Sequence, residues 1–234
     1  YVLGYRSDSN KKADLGTMAH KVMEILAGLK KFQQENPKRK YLVIEDDKCG
    51  KIRITKDELY TDEFVERMCE LAVTDYAEGS IHNFTKGDRK VVRDTVFTFL
   101  THSDSLFDPR QRHIYHPEAQ FDIPIEEDWA TFEYEIDGET VKGQLAIKGT
   151  IDLTTLISDD TIEVIDWKTG ATTLGESAAV QLAVYRLAWA KLKGIDPALV
   201  SAAFHYVPTG VTDQPADLLD EAALIELISS IDQA

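Results

Sequence analysis

Residues 162–170 read IEVIDWKTG, an apolar run with the character of a buried β-strand that ends by setting Asp166 and Lys168 two positions apart. Side chains two apart on a strand share a face, so an anion and a cation converge on one point beside it. Two readings of the pair are open. One is an ordinary salt bridge at a strand end, which these two residues alone would favour. The other is half of an active site whose second half is a further carboxylate.

The preceding strand supplies such a carboxylate. Residues 149–153 read GTIDL, and a Ser-Asp-Asp turn at 158–160 leads the chain back into 162–168, so the hairpin can carry Asp152 to Asp166. Two neighbouring carboxylates with Lys168 beside them are costly unless a cation occupies the site. Hard oxygen ligands of this kind suit Mg²⁺ or Mn²⁺, as one ion or two.

Outward from this hairpin, period two extends back to Glu118. The segments EAQFDIPI (118–125), TFEYEI (131–136), VKGQLAIKGTIDL (141–153) and TIEVIDWKT (161–169) read as four strands of a meander, with Asp137-Gly138 as one of its turns. A helix follows at 178–194, AAVQLAVYRLAWAKLKG, then a strand at 201–210 and an acidic terminal helix. Before the strands, residues 16–32, GTMAHKVMEILAGLKKF, have helical spacing, with Asp14 as N-cap and His20 and Glu24 on one face. Between lie a short hairpin in YLVIEDDKCGKIRIT (41–55) and two amphipathic helices at 62–77 and 86–102. The expected fold class is therefore α/β (α+β), a central mixed sheet flanked by helices in one domain spanning 1–234, with a largely helical insertion at 36–112.

Composition bounds the partners. The 234 residues are 43% hydrophobic and 29% charged, with a net charge of −15. That charge argues against a surface that clings to nucleic acid everywhere, because phosphate binding rests on Lys and Arg, but it leaves room for a local basic groove. Cations cluster at Lys30, Lys31, Lys38, Arg39 and Lys40, at Lys86, Arg89, Lys90 and Arg93, and at Arg110, Arg112 and His113. The second cluster falls at i, i+3, i+4 and i+7, one helical face; taken singly such a cluster reads as a solvated face, and the alternative is one candidate wall of a DNA-binding groove. No apolar run approaches the roughly 18 residues that span a bilayer, and no leader opens the chain, so the expected setting is the cytoplasm with no membrane partner. Cys49 and Cys69 are too few for a disulfide framework. Tyr1 in place of Met is expected of a fragment, a processed chain or part of a longer one.

Four motifs in order resemble the PD-(D/E)XK nuclease superfamily, specifically its RecB-type branch: Gly16-Thr17-Met18-Ala19-His20, Gly149-Thr150-Ile151-Asp152, Asp166-Trp167-Lys168-Thr169-Gly170 and Gln181-Leu182-Ala183-Val184-Tyr185. The insertion matches no named motif. The resemblance implies a restriction-endonuclease-like core in which His20, Asp152 and Asp166 ligate metal, with the Trp167 carbonyl as a further ligand. Lys168 would face the scissile phosphate and the attacking water, and Gln181 and Tyr185, one turn apart, would position nucleic acid or the lysine. Glu118 stands where the family often has an acidic residue and is either a supporting group or a surface glutamate at a strand start. Trp189, next on the Gln181–Tyr185 stripe, reads as core in preference to a base-stacking platform. Some relatives hold an iron–sulfur cluster through one cysteine before the His helix and three after the Gln181–Tyr185 helix; no cysteine follows Cys69, so none is expected here. The implied activity is metal-dependent hydrolysis of DNA, by an exonuclease or end-processing enzyme of recombination, repair or phage DNA metabolism working on double- or single-stranded ends, with a helicase or recombination factor as a possible partner. The alternatives are a catalytically silent scaffold of the same fold, or an enzyme acting on RNA or single strands.

Overall fold

A computed structural model describes residues 10–47, 49–136, 138–158, 161–170 and 176–231, the side chains of 176–178 and 231 excepted. Asp137 of one expected turn, and Asp159 and Asp160 of the other, lie outside the described residues.

Helix α1 runs Lys11–Glu35, several residues earlier than its apolar spacing suggests, because Asn10 caps it by accepting the Lys12 N–H at 3.0 Å. Asp14, read as the cap, instead lies in the first turn and is buried. The strands β1 (Tyr41–Asp46) and β2 (Gly50–Thr55) pair as the expected hairpin, and α2 (Asp62–Gly79) and α3 (Lys86–Leu100) follow. Thr85 and Asp88 start α3 with a reciprocal capping box.

The central sheet has five strands in the order β3 (Ile114–Pro124), β6 (Ala146–Leu156), β7 (Ile162–Lys168), β8 (Val200–Tyr206) and β9 (Val211–Asp213). Strands β7 and β8 are parallel, joined through α4 (Glu176–Lys193), and the other neighbours are antiparallel. A last helix, α5, spans Glu221–Ile231.

The meander is a point of correction. The stretch read as one strand at 141–153 is two, β5 (Glu139–Gln144) and β6, and β5 pairs only with β4 (Thr131–Ile136) in a separate two-stranded sheet. The break falls at Leu145, whose N–H donates to the Ala130 carbonyl and whose own carbonyl accepts from Ile125. The central sheet thus pairs β3 directly with β6, and the β4–β5 hairpin is an excursion between them.

Apolar residues fill both faces of the sheet. On one, Met18, Val22 and Leu26 of α1 pack with Phe64 and Met68 of α2, Val96 and Phe99 of α3, and Leu153, Ile165 and Trp167 of the sheet. On the other, Leu182 and Trp189 of α4 meet Phe121, Ile151, Val164, Phe204 and Tyr206. Each such side chain contributes roughly 1.5–3 kcal/mol on burial, so α1 and α4 are clamped on opposite faces of the central sheet.

Candidate active site

Strand β7 is buried from Ile162 to Trp167, and its alternation brings Asp166 and Lys168 to one side, where the ammonium lies 2.7 Å from Asp166 Oδ2. The β6–β7 ladder ends at the pair Leu153–Ile165. Beyond it the strands part, and the Trp167 N–H is taken by the side chain of Asp152 at 2.8 Å in place of a backbone carbonyl. The parting is visible in the packing: Leu153 lies in the first core and Ile151 in the second, although residues two apart on a regular strand share a face. Asp152 is the point at which β6 turns over.

Strand β3 is disturbed at the corresponding place. Its pairing with β6 runs from Pro117–Leu153 to Ala119–Ile151, with Glu118 between them at the level of Asp152 and a φ of 47°. Among the described residues it is the sole non-glycine with positive φ, a conformation that costs of the order of 1 kcal/mol and re-aims the side chain. Three adjacent strands therefore present Glu118, Asp152 and Asp166.

Helix α1 closes the site. Gly16 lets it approach, since a Cβ there would stand 2.7 Å from Thr169 Oγ1 at the end of β7. One turn later His20 Nδ1 is 3.5 Å from Asp152 Oδ2, and the His20 ring meets Trp167 edge-on. The glycine of the β6 motif has a similar use: Phe121 lies over Gly149, where a Cβ would fall 2.6 Å from its ring. On the far side α4 supplies Gln181, whose Oε1 accepts from Lys168 at 3.3 Å and whose Nε2 donates to the Tyr185 hydroxyl at 2.7 Å. Trp189 is fully buried against Tyr115 and His116, a core residue.

Of these groups His20, Glu118, Asp166, Trp167 and Lys168 border a cavity of about 510 Å³ that also takes in Thr17, Lys21, Glu24 and Tyr76. Thr17 lies inside the first motif and Glu24 on the His20 face, whereas Lys21 and Tyr76 were not singled out in the sequence. Lys21 bridges Glu24 at 2.8 Å and Asp46, at the end of β1, at 2.6 Å. Lys21 is adjacent to His20, and Glu24 was read only as the next helical turn, so spacing along α1 was the available signal; Tyr76 comes from α2 and had none.

Burial and, after it, the crowding of carboxylates set the electrostatics. Burial first, then the charge of Asp152, pushes Asp166 up to about 6 against the pull of Lys168. Burial, with Glu24 and Asp152, pushes Glu118 up to about 7. Burial works against protonation of His20, but its hydrogen bond to Asp152 and the charges of Asp152, Asp166 and Glu118 outweigh it and raise its pKa. Acids held so far above their ordinary range mark a site short of positive charge. The donor set of carboxylates, one imidazole and the Trp167 carbonyl suits a hard divalent cation in type. Among the described residues no three His, Cys, Asp or Glu side chains are gathered closely enough to cage an ion, and Lys168 lies against Asp166.

The expected DNA-binding wall is placed differently from its sequence reading. Arg89 and Arg93 of α3 turn to Glu70 and Glu66 of α2, each at 2.6 Å, and Lys90 pairs with Asp94. Lys86 is exposed at the start of α3, and none of the four borders the cavity. The third cluster is likewise spent, Arg110 on Asp108 and Arg112 on Glu163, both pairs buried.

Comparison with known proteins agrees with this architecture. A family model for the PD-(D/E)XK nuclease superfamily matches residues 1–230. The chain belongs to that superfamily, and its five-stranded mixed sheet with flanking helices is the restriction-endonuclease-like fold. Members are mostly nucleases, generally dependent on divalent metals such as Mg²⁺ or Mn²⁺. No curated protein matches. Among solved structures, SSO0001 is 17% identical over 50% of this chain and 49% of its own, with a TM-score of 0.28. Protein VC1899 from Vibrio cholerae is 12% identical over 94% of this chain and 50% of its own, with a TM-score of 0.26. The chain spans about half the length of each. No described helix is long and apolar enough to cross a membrane.

Proposed function

We propose that the chain is a metal-dependent deoxyribonuclease of the RecB type, an exonuclease or end-processing enzyme of recombination, repair or phage DNA metabolism that works in the cytoplasm alongside a helicase or recombination factor. In this reading residues 1–234 form one nuclease domain with 36–112 as its insertion. The observation that carries it is the row of Glu118, Asp152 and Asp166 across three strands, with Lys168 beside it and His20 above it.

Asp152, Asp166 and His20, with the Trp167 carbonyl and Glu118 in support, would hold Mg²⁺ or Mn²⁺. When bound, the ion supplies Lewis-acid polarisation of the phosphate and a lowered pKa for attacking water. Lys168, which stands beside Asp166 and Gln181, would offer its ammonium to the negative charge that develops on the phosphate. Gln181 would orient that ammonium through its bond to Lys168, and Tyr185 holds Gln181 in turn. The raised pKa of Glu118 makes it the group best placed to exchange a proton near neutral pH.

The test is cleavage of end-labelled linear DNA beside circular DNA, with Mg²⁺, Mn²⁺ or EDTA. Metal-dependent loss of linear substrate with circular DNA spared is the expected result. Absence of cleavage under every metal condition, while the protein still binds DNA, would establish the silent scaffold instead.

A further inference from the structure

With Arg89, Lys90 and Arg93 of α3 and the buried Arg110 and Arg112 engaged by acids, a further group of exposed cations stands on the β1–β2 hairpin and beside it. Its inner side chains, Leu42, Ile52 and Ile54, are core residues, so alternation turns Tyr41, Val43, Lys51 and Arg53 outward. Arg53 lies over the Tyr41 ring at 4.1 Å, and Lys40 reaches the same ring at 5.5 Å. Lys51, Arg53 and Arg67 of α2 line one groove of about 530 Å³ beside the hairpin. Among the described residues no carboxylate lies within ion-pair distance of these three, and the acid lining the groove, Glu70, is already bound to Arg89. Glu45 stands opposite Lys51, and Glu58 is near enough to feel the charge of Arg67. The face keeps a positive excess on a chain whose net charge is −15.

Position gives this patch its meaning. Asp46 ends β1 and grips Lys21 in the wall of the candidate active site, so the hairpin's tip lies one ion pair from the cavity. From that tip the hairpin runs five residues to Tyr41 and Thr55, about 17 Å, the rise of about five phosphates along one strand of a B-form duplex.

We infer that this hairpin face and the adjoining Arg67 form a nucleic-acid track, on which the phosphates of the substrate strand rest as it enters or leaves the cavity. This rests on the nuclease reading for its choice of ligand but is measured independently of cleavage. Lys51, Arg53 and Arg67 contact the backbone and carry no sequence preference, as phosphate contacts do. Tyr41, already faced by two cations, offers its exposed edge to a sugar or base.

The experiment is anisotropy of a fluorescein-labelled DNA duplex with a single-stranded overhang, titrated with the full chain in EDTA at several salt concentrations. The variant Lys51→Glu/Arg53→Glu/Arg67→Glu should weaken binding about tenfold or more and flatten the slope of log affinity against log salt by about two to three, since each phosphate contact contributes about 0.7–0.9. The neutral set Lys51→Gln/Arg53→Gln/Arg67→Gln should lie between, with melting temperatures of both sets matching the parent. Lys86→Glu/Lys90→Glu, the same kind of change on the other helix face, should leave the slope as it was. Parental affinity and slope in the triple variant overturn the track while leaving metal-dependent cleavage to stand or fall on its own. If parent and variants alike fail to bind the probe, the track is overturned as well.

Discussion

Asp166 is nearly inaccessible to solvent, and its carboxyl is raised to about 6 by burial and by the charge of Asp152. Between the ordinary carboxylate value and 6 the folded chain holds a proton that the unfolded chain has released, so this group lowers stability as pH rises through that window. Asp166→Asn should therefore raise the melting temperature of the metal-free protein at pH 8, by an amount equivalent to at most about 3 kcal/mol, and should abolish cleavage. A scan of melting temperature against pH for parent and variant, with and without Mn²⁺, checks both parts. The parent should gain stability on adding metal and the variant should not, because a ligand that binds only the folded state stabilises it by mass action. The carboxylates and lysine of this site were legible in sequence because strand alternation dictates which side chains converge. The left-handed turn at Glu118 was not, since nothing in the residues around it demands positive φ; it follows from β3 and β6 shifting face together.

At the scale of elements, α1 is held against the sheet by absence of a side chain. Gly16→Ala would ordinarily gain about 1 kcal/mol from helix propensity. Here the new methyl meets Thr169 Oγ1, so the gain should not appear, and displacement of His20 one turn on should lower the rate of cleavage. Gly16→Ala/Thr169→Ala should recover the stability, as measured by urea denaturation of the two single variants and the double. Equal stability gains in Gly16→Ala with and without the threonine change would show that α1 sits further from β7. Periodicity revealed α1 and α4, yet it fused β5 to β6, because apolar and polar residues keep alternating through Leu145 and the corner there is set by hydrogen bonds to Ala130 and Ile125. It also marked a basic face on α3 whose neutralising partners, Glu66 and Glu70, belong to another helix and cannot be located from the spacing of α3 alone. Reversing Arg89 and Arg93 to Glu should accordingly lower the melting temperature slightly, and Glu66→Lys/Glu70→Lys should restore it in the combined variant.

Across the whole molecule, two sets of buried or half-buried groups respond to acid in opposite senses. Asp166 and Glu118 shed the cost of a buried charge and the repulsion of Asp152 as they take up protons, which favours the fold as pH falls from 7 toward 4. His205 does the reverse. It is buried on β8, stacked on Phe107 at 4.4 Å with His102 on the other side of that ring, and burial, then the charge of Arg112, holds it down at about 3. An unfolded histidine protonates near 6.5, so between 6.5 and 3 the unfolded state binds the extra proton and folded stability declines as pH falls, by about 1.4 kcal/mol per pH unit for one such group. The stabilising contribution of a neutral His205 is whole above that window and is lost through it. His205→Gln removes the titration while keeping a polar side chain of similar length, so its stability should fall off less steeply than the parent's below pH 6 and run parallel to it above pH 7. Urea unfolding at pH 7.5, 6, 5 and 4 measures the difference directly; parallel curves for parent and variant over the whole range would mean that His205 takes up its proton in the fold as readily as in the open chain.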